Sequence, residues 1–378
     1  MAQETATPAG QTENQGPFRG AKPYDDWIGS LGLPIHRGYY LEDVRTAEVE
    51  WWEERQAKVA FMQLAGQQGA AEARITEVPP GATLPAARFG FDESVYVADG
   101  QGVCTVWGAD GQKKTFEWQK HSLFMLPHNR WHQITNMRGD RPARLVHYNY
   151  LPVAMSVIPD PEFFFDNNYG DQKKLATPSG EYYSEAKIEH DTMWGRKRAK
   201  WYGSFFPDMR AWDQLVPFWG RGAGGRVVHI EFPESQMTCH MSVFDARTYK
   251  KGHRHGPGFV IIIPAGEGYS IMWPEGEEKV VIPWHEGSVF VPPNRWFHQH
   301  FNVGETPARY LAWHPLPQMM GSGERVDNRA QNQIEYPFEE PWIREKFESE
   351  LKARGLTSIM PEQAYKDPNY EWEYSGES

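Results

Sequence analysis

Cysteine is almost absent from this chain of 378 residues, which contains only Cys104 and Cys239. Neither lies in a CxxC pair or another zinc spacing, so we expect two reduced thiols, no disulfide scaffold and a cytoplasmic location. No apolar run reaches the roughly 18 residues that a membrane helix needs, and the polar N-terminus lacks the apolar core of a signal peptide. We therefore expect no membrane partner.

Positive charge is also in short supply. Lys and Arg number 39 against 50 Asp and Glu, which gives a net charge of −11. An acidic chain is a poor candidate for binding nucleic acid, so we expect a small-molecule partner. Hydrophobic residues (40%) and aromatic residues (14%) suffice for sizeable cores, and the length suits two domains.

Short apolar runs separated by Gly, Pro, Asn and Asp fill two stretches, about 55–150 and 225–317. This pattern predicts an all-β sandwich or barrel in each stretch. We expect five segments: a disordered tail (1–22), an N-terminal barrel (23–155), an aromatic-rich connector that packs on both barrels (156–222), a C-terminal barrel (223–320) and an extension (321–378).

Two stretches have helical character. Residues 41–56, with early acidic residues and two tryptophans, suggest a short helix. In the extension, Pro341 at the start and Gly355 past the end bracket a helix with apolar residues at helical spacing. Those apolar residues are Trp342, Ile343, Phe347 and Leu351.

Three histidines point to chemistry. His253 and His255 lie two residues apart, and His298 follows on a later apolar run. Residues i and i+2 of a strand face the same side, so the pair can meet His298 from a neighbouring strand. Neutral imidazoles grouped in this way bind transition metals.

The C-terminal stretch repeats part of the N-terminal one. Residues 124–136 and 290–302 share a Phe, a Pro, a His-Gln pair and an Asn in the same places: Phe124, Pro127, His132, Gln133 and Asn136, against Phe290, Pro293, His298, Gln299 and Asn302. With Gly287 and the earlier histidine pair, these residues resemble the two cupin motifs. The chain therefore resembles a bicupin, which implies an all-β fold of two tandem double-stranded β-helix (jelly-roll) barrels.

The cupin ligands are divided between the copies. The N-terminal copy keeps Glu93 but has Ala87 and Phe89 where the motif has histidines, whereas the C-terminal copy keeps its histidines but has Phe259 where the motif has glutamate. The resemblance implies a degenerate N-terminal site. It also implies one metal, held by His253, His255 and His298 without a carboxylate.

A three-histidine site leaves the charge of a divalent metal uncompensated, which favours anionic ligands. Among cupins it resembles three-His non-haem iron dioxygenases such as the gentisate- and diketone-cleaving enzymes. We therefore expect one Fe(II) per chain and cleavage of a small aromatic, enolic or diketone-like substrate with O2. Imidazole suits Mn, Ni, Zn, Co and Cu as well, so a non-redox lyase, isomerase or decarboxylase stays open, and so does a non-catalytic sensor or activator.

Other residues of the C-terminal copy complete the expected site. His300, two residues past His298, is a candidate for a fourth ligand, an acid or base, or a hydrogen-bond partner of a ligand. His240 is a candidate for an acid or base or a hydrogen-bond partner at the pocket. Aromatic residues on the same strands are candidates for the substrate pocket: Phe259, Trp273, Trp296 and Trp313. Unpaired sheet edges lead us to expect a homodimer.

Overall fold

The computed structural model describes residues 22–67, 69–165, 182–184, 186–193, 196–210, 215–218, 220–316, 319 and 329–374. The tail that we expected over residues 1–22 lies outside these ranges except for its last residue.

The first barrel is built from short strands rich in β-branched and aromatic residues, which suit a pleated and half-buried surface. Its segment of the chain contains β1 (Ile35–Gly38), β2 (Tyr40–Leu41), β3 (Glu50–Trp52), β4 (Ala57–Leu64), β5 (Glu72–Val78), β6 (Ala87–Arg88), β7 (Glu93–Asp99), β8 (Gln101–Trp107), β9 (Lys113–Gln119), β10 (Leu123–Leu126), β11 (Trp131–Asn136) and β12 (Ala143–Asn149). One sheet has the order β1-β4-β5-β12-β7-β10, with β3 beside β4, and the other has the order β6-β11-β8-β9.

The described part of the remaining chain supplies fourteen further strands. They are β13 (Lys187–Met193), β14 (Arg196–Tyr202), β15 (Phe205–Phe206), β16 (Val216–Pro217), β17 (Arg226–Glu231), β18 (Thr238–Phe244), β19 (Gly252–His253), β20 (Val260–Ala265), β21 (Glu267–Trp273), β22 (Val280–His285), β23 (Val289–Phe290), β24 (Phe297–Asn302), β25 (Ala308–Trp313) and β26 (Gln333–Ile334). The second barrel has one sheet ordered β13-β14-β17-β18-β25-β20-β23 and another ordered β22-β21-β24-β19-β26.

The two barrels exchange short strands. β2 leaves the first barrel's segment and pairs with β23 of the second, while β15 pairs with β10 of the first. The parallel pairs β1–β4 and β14–β17 are likewise equivalent. The duplicated unit thus begins at β14, inside the stretch that we treated as a connector, and the segment boundaries drawn from sequence remain a prediction.

One hydrophobic core joins the barrels. It contains residues of both segments, all almost fully buried, including Met62, Tyr96, Tyr148, Met241 and Trp313. The indole of Trp313 stacks on Tyr148, with ring centroids 5.5 Å apart. Burial of this apolar area holds the two barrels together.

Within the described ranges, the helices outside the barrels are α1 (Pro23–Ser30), α2 (Leu151–Val157), α3 (Arg329–Asn332) and α4 (Pro341–Ala353). Helix α4 is the one predicted from sequence, and it buries Ile343, Phe347 and Leu351 against the outer face of the second barrel. No helix within the described ranges is long and apolar enough to span a membrane.

The helix expected over residues 41–56 is wrong. That stretch contributes the end of β2, all of β3 and a 3-10 turn at Glu53–Arg55. Pairing with β23 and β4 satisfies its backbone groups, so tertiary contacts override the local helical preference.

Candidate metal centre

The three motif histidines meet inside the second barrel. His253 on β19 lies directly opposite His298 on β24 in the antiparallel ladder, with ring centroids 4.3 Å apart. His255 follows just past the end of β19, and its ring centroid lies 4.8 Å from that of His298. One nitrogen from each ring lies within 4.8 Å of the others.

Hydrogen bonds from Nδ1 orient the rings of His253 and His298 for metal binding. Nδ1 of His253 donates to the carbonyl of Lys251 (3.0 Å), and Nδ1 of His298 donates to the carbonyl of Trp296 (3.1 Å). Each Nε2 therefore keeps its lone pair for a ligand, as in metal-binding histidines generally. Nitrogens about 2.1 Å from a shared metal lie at most about 4.2 Å apart, so small ring rotations suffice to form the site.

Burial keeps the three imidazoles neutral. It lowers the pKa of His253 and His255 well below the usual value and that of His298 to about 4, and the positive charge of Arg221 lowers all three further. Nδ1 of His255 is buried and has no hydrogen-bond partner among the described residues. Neutral, partly unsatisfied imidazoles fit a divalent metal, whose ligands must be deprotonated.

No described carboxylate joins these histidines within ligand distance of a common metal. The ring of Phe259 lies 4.5 Å from that of His255. The strand registers support the equivalence of Phe259 and Glu93, because Ser94 faces Tyr148 in one barrel as Val260 faces Trp313 in the other. The carboxylate position thus carries an apolar ring in the second barrel.

The barrels match strand by strand. The order β4-β5-β12-β7-β10 corresponds to β17-β18-β25-β20-β23, and β6-β11-β8-β9 corresponds to β19-β24-β21-β22. The motif residues His132 and His298 lie on the equivalent strands β11 and β24. The chain has the bicupin fold. The all-β tandem-barrel architecture expected from the sequence is confirmed.

No protein-family model matches the chain, and no curated protein matches it. Among solved structures it is similar to a mutant of Bacillus subtilis oxalate decarboxylase OxdC, at 11% identity over 73% of this chain and 77% of that one, with a TM-score of 0.46. A structure concerned with the Mn(II) centres of the same enzyme is 12% identical over 73% of this chain and 77% of that one, with a TM-score of 0.46. The formate complex of Lactobacillus farciminis oxalate decarboxylase is 14% identical over 74% of this chain and 86% of that one, with a TM-score of 0.47.

His300 shares the interior with the three histidines. Its Nδ1 lies 2.7 Å from the hydroxyl of Ser270, which accepts the indole N–H of Trp284 at 3.0 Å. The Ser270 hydroxyl has one proton and two lone pairs, so it can donate to Nδ1 of His300 or accept from it. Because Ser270 engages Nδ1, any role of His300 as a fourth ligand, an acid or base, or a hydrogen-bond partner falls to Nε2.

His240 is paired with a histidine that the sequence did not single out as functional. Nδ1 of His240 lies 2.7 Å from Nε2 of His314, whose Nδ1 lies 2.9 Å from the Thr238 hydroxyl. The carbonyl of His314 accepts hydrogen bonds from Tyr148 and Tyr150, both from the first barrel. His314 also lies 4.6 Å from the ring of Phe259, so the first barrel helps to fix one wall of the site.

The four expected pocket residues divide into two pairs. Phe259 and Trp296 pack on the interior cluster of the second barrel. Trp273 instead stacks on Phe297 in the cluster beneath α4, on the outer face of its sheet. Trp313 belongs to the core between the barrels. The structure therefore does not bring Trp273 or Trp313 to the histidines.

A buried lysine that the sequence pattern does not reveal lies in the same interior. Lys250 is 0% exposed, and its ammonium donates to the hydroxyls of Ser242 (2.7 Å) and Tyr310 (2.8 Å). Alternation from His253 would place it on the opposite face, with Arg254. It turns inward because it precedes β19 in irregular backbone, where no period of two applies.

The interior of the first barrel, around the positions equivalent to Phe259 and His240, holds a buried ionic network. Arg74 pairs with Glu72 (2.6 Å) and Glu93 (2.8 Å), and Nδ1 of His147 lies 2.7 Å from Glu93. Burial alone would raise the pKa of Glu93, but Arg74 and His147 outweigh it and hold that pKa well below its usual value. Glu93 is therefore already neutralised by protein groups.

Proposed function

We propose that this bicupin is a metal-dependent enzyme that binds one divalent metal through His253, His255 and His298 and acts on a small organic anion. The observation that carries the proposal is a trio of neutral imidazoles, two of them buried and that of His255 half-buried, which no described carboxylate joins. When bound, such a metal supplies an uncompensated double positive charge and open coordination positions.

Charge complementarity supports an anionic substrate. Two further cations, Lys250 and Arg221, act on the same histidines, because each lowers the pKa of His298. No described carboxylate joins the three histidines as a further metal ligand. A substrate that brings negative charge into this low-dielectric interior therefore gains more than it would in water.

The neighbouring side chains have separate tasks in this proposal. The Lys251 and Trp296 carbonyls hold the rings of His253 and His298 in one tautomer and orientation. We assign to Nε2 of His300 a hydrogen bond to the substrate, donated when that nitrogen carries the ring proton. Phe259 covers His255 with an apolar ring and excludes water from that side.

Within this class, we favour cleavage of an aromatic, enolic or diketone-like substrate by O2, with Fe(II) as the metal. The support is the same charge argument: an enolate or phenolate oxygen is a good ligand for a metal held by neutral imidazoles, and three protein ligands leave room for O2. The iron and the redox chemistry rest on this reasoning alone.

One observation favours a non-redox decarboxylase or lyase as the second candidate. A carbanion formed by loss of CO2 must be protonated, and Lys250 with Tyr310 offers a buried proton donor pair 2.8 Å apart. Such a reaction releases CO2 and consumes no O2. Ring or diketone cleavage consumes one O2 per turnover.

The test begins with the metal content of protein purified without oxygen, followed by O2 uptake and CO2 release with catechols, gentisate-like acids, β-diketones and small dicarboxylates. We expect about one metal per chain, and O2 uptake with at least one enolic or phenolic anion. Metal-loaded protein that releases CO2 without O2 uptake would establish the second candidate in place of the first.

A histidine variant tests the site itself. His298→Ala removes one ligand and should lose most of the bound metal, whereas His36→Ala, an exposed histidine of the first barrel, should keep it. Full metal content in His298→Ala contradicts the assignment. The homodimer and the cytoplasmic location remain predictions, and sedimentation of the purified chain checks the first of them.

A further inference from the structure

Lys250 is a buried cation that has no anionic partner among the described residues. Its ammonium contacts two hydroxyls, those of Ser242 and Tyr310, and lies 4.7 to 5.3 Å from three aromatic ring centroids, those of Phe218, Phe244 and Tyr310. Among the described residues, no carboxylate forms an ion pair with it. Its hydrogen-bond and ring partners are neutral, and burial, together with the positive charge of Arg221, lowers the pKa of Lys250.

Other buried cations of the chain are paired. The next residue, Lys251, forms an ion pair with Glu335, and Arg74 in the first barrel lies between two glutamates. Burying an unpaired charge is costly, and an apolar residue of the same size usually serves a core at least as well. The isolated charge of Lys250 therefore calls for a role other than packing.

Lys250 faces the interior that holds the metal centre. The ring of its partner Tyr310 lies 5.4 Å from that of His300 and 6.0 Å from that of His240. The ring of His300 in turn lies 5.6 Å from that of His298, so a chain of ring contacts leads from Tyr310 to the three histidines.

The ammonium has hydrogen-bonding capacity left. A lysine ammonium carries three N–H donors, and Ser242 and Tyr310 account for two of them. The third donor is available for an oxygen atom brought by a ligand. A charge-assisted hydrogen bond of this kind, in a water-poor interior, is among the stronger polar contacts that a protein makes.

We propose that Lys250, held in place by Tyr310 and Ser242, binds a second anionic oxygen of the substrate. The substrate class is then a small dianion or its equivalent, with one oxygen for the metal and a second group for Lys250: a dicarboxylate, or a carboxylate with an enol or phenol oxygen. This inference rests on the proposed function and narrows its substrate class.

Zinc-loaded protein allows binding to be measured without turnover. Malonate and acetate serve as the probes, titrated by calorimetry into the wild type and into Lys250→Met. We expect the wild type to bind malonate more tightly than acetate. Lys250→Met should lose about tenfold to a hundredfold in malonate affinity, the usual value of a charged hydrogen bond, while acetate affinity changes little.

Lys279→Met is the matched control. Lys279 belongs to the same barrel but lies on its outer side, where it pairs with Glu340 and covers Trp273. This variant should bind malonate as the wild type does. Tyr310→Phe keeps the charge but removes one hydroxyl that positions it, so it should give an intermediate loss.

Thermal unfolding separates recognition from packing. Because Lys250 has no anionic partner, Lys250→Met should unfold at the wild-type temperature or above it. A lowered unfolding temperature together with unchanged malonate affinity overturns the proposal, as does a wild type that shows no preference for malonate. If the histidines bind no zinc but malonate binding still depends on Lys250, the proposed metal function fails while the anion subsite stands.

Discussion

Arg74 gives the sharpest test of how the first barrel is stabilised. Its guanidinium is buried between Glu72 and Glu93, with side-chain exposures of 7%, 0% and 1%. Arg74→Met leaves two carboxylates in an apolar interior with no guanidinium between them. Removing one partner of a buried ion pair typically costs about 3 to 5 kcal/mol, so we expect a loss of that size in the free energy of unfolding at pH 7.

The sign of the pH dependence adds a second criterion. In the wild type, Arg74 and His147 hold the pKa of Glu93 below its usual value of 4.5, so this stabilisation is present above pH 4.5 and is lost as the pH falls below it. In Arg74→Met, the largest opposing charge is gone, so burial raises the pKa of Glu93. The deficit of the variant should therefore grow between pH 5 and pH 8, because the unfolded chain ionises more readily than the folded one.

Urea unfolding followed by tryptophan fluorescence measures both quantities. Lys58→Met on the neighbouring strand β4 is the control: its ion pair with Glu77 is half exposed and should contribute at most about 1 kcal/mol. The triple variant with Glu72→Gln and Glu93→Gln should recover much of the loss, since it leaves no uncompensated charge. A deficit for Arg74→Met of about 1 kcal/mol or less, independent of pH, would refute the reasoning.

Three further predictions concern the second barrel. Burial raises the pKa of Glu339 to about 7, so the free energy of unfolding should fall by up to about 3 kcal/mol as the pH rises from 4.5 towards 7. Urea unfolding at several pH values measures this fall, and Glu339→Gln should abolish it. Phe347→Ala beneath the metal-bearing sheet should cost about 3 to 5 kcal/mol, whereas Phe338→Ala, 70% exposed, should cost under about 0.5 kcal/mol in the same assay. Phe259→Glu places a carboxylate beside His255 and should tighten metal binding in a competition titration with a chelator; unchanged affinity would show that the position does not face the metal.

The site was predictable from sequence where regular strands carry it. His253 and His298 follow from the alternation of side chains and from the repeat, and both lie on strands of the same sheet. Alternation without register does not tell which face is inside, which is why Trp273 was misplaced. Its partner in the ladder is Phe297, one position away from His298, so it points to the outer side.

Residues outside regular strands were out of reach of sequence periodicity. Lys250 lies in irregular backbone and His314 follows the end of β25, so neither position has a period to read. The exchange of β2 and β15 between the barrels could not be predicted from the sequence for another reason. Each strand is two residues long, and pairing at that distance in sequence is decided by tertiary contacts.

The equivalent interiors of the two barrels differ in whether their buried charges are paired. In the first, Glu93 and Arg74 neutralise each other, and the guanidinium of Arg55 lies 5.0 to 5.2 Å from the rings of Trp52, Phe89 and Phe165. Protein groups there already occupy the interactions that a metal or substrate would need, because an ionised network with its partners in place gains little from a ligand.

In the second barrel the same positions carry Phe259 and His240 in place of Glu93 and Arg74. The interior there holds neutral imidazoles and the unpaired Lys250. In the proposed function, a metal and an anionic substrate supply the charges that balance these groups. This asymmetry, rather than the number of histidines alone, is the physical reason to assign binding to the second barrel and support to the first, whose Tyr148 and Tyr150 anchor the carbonyl of His314.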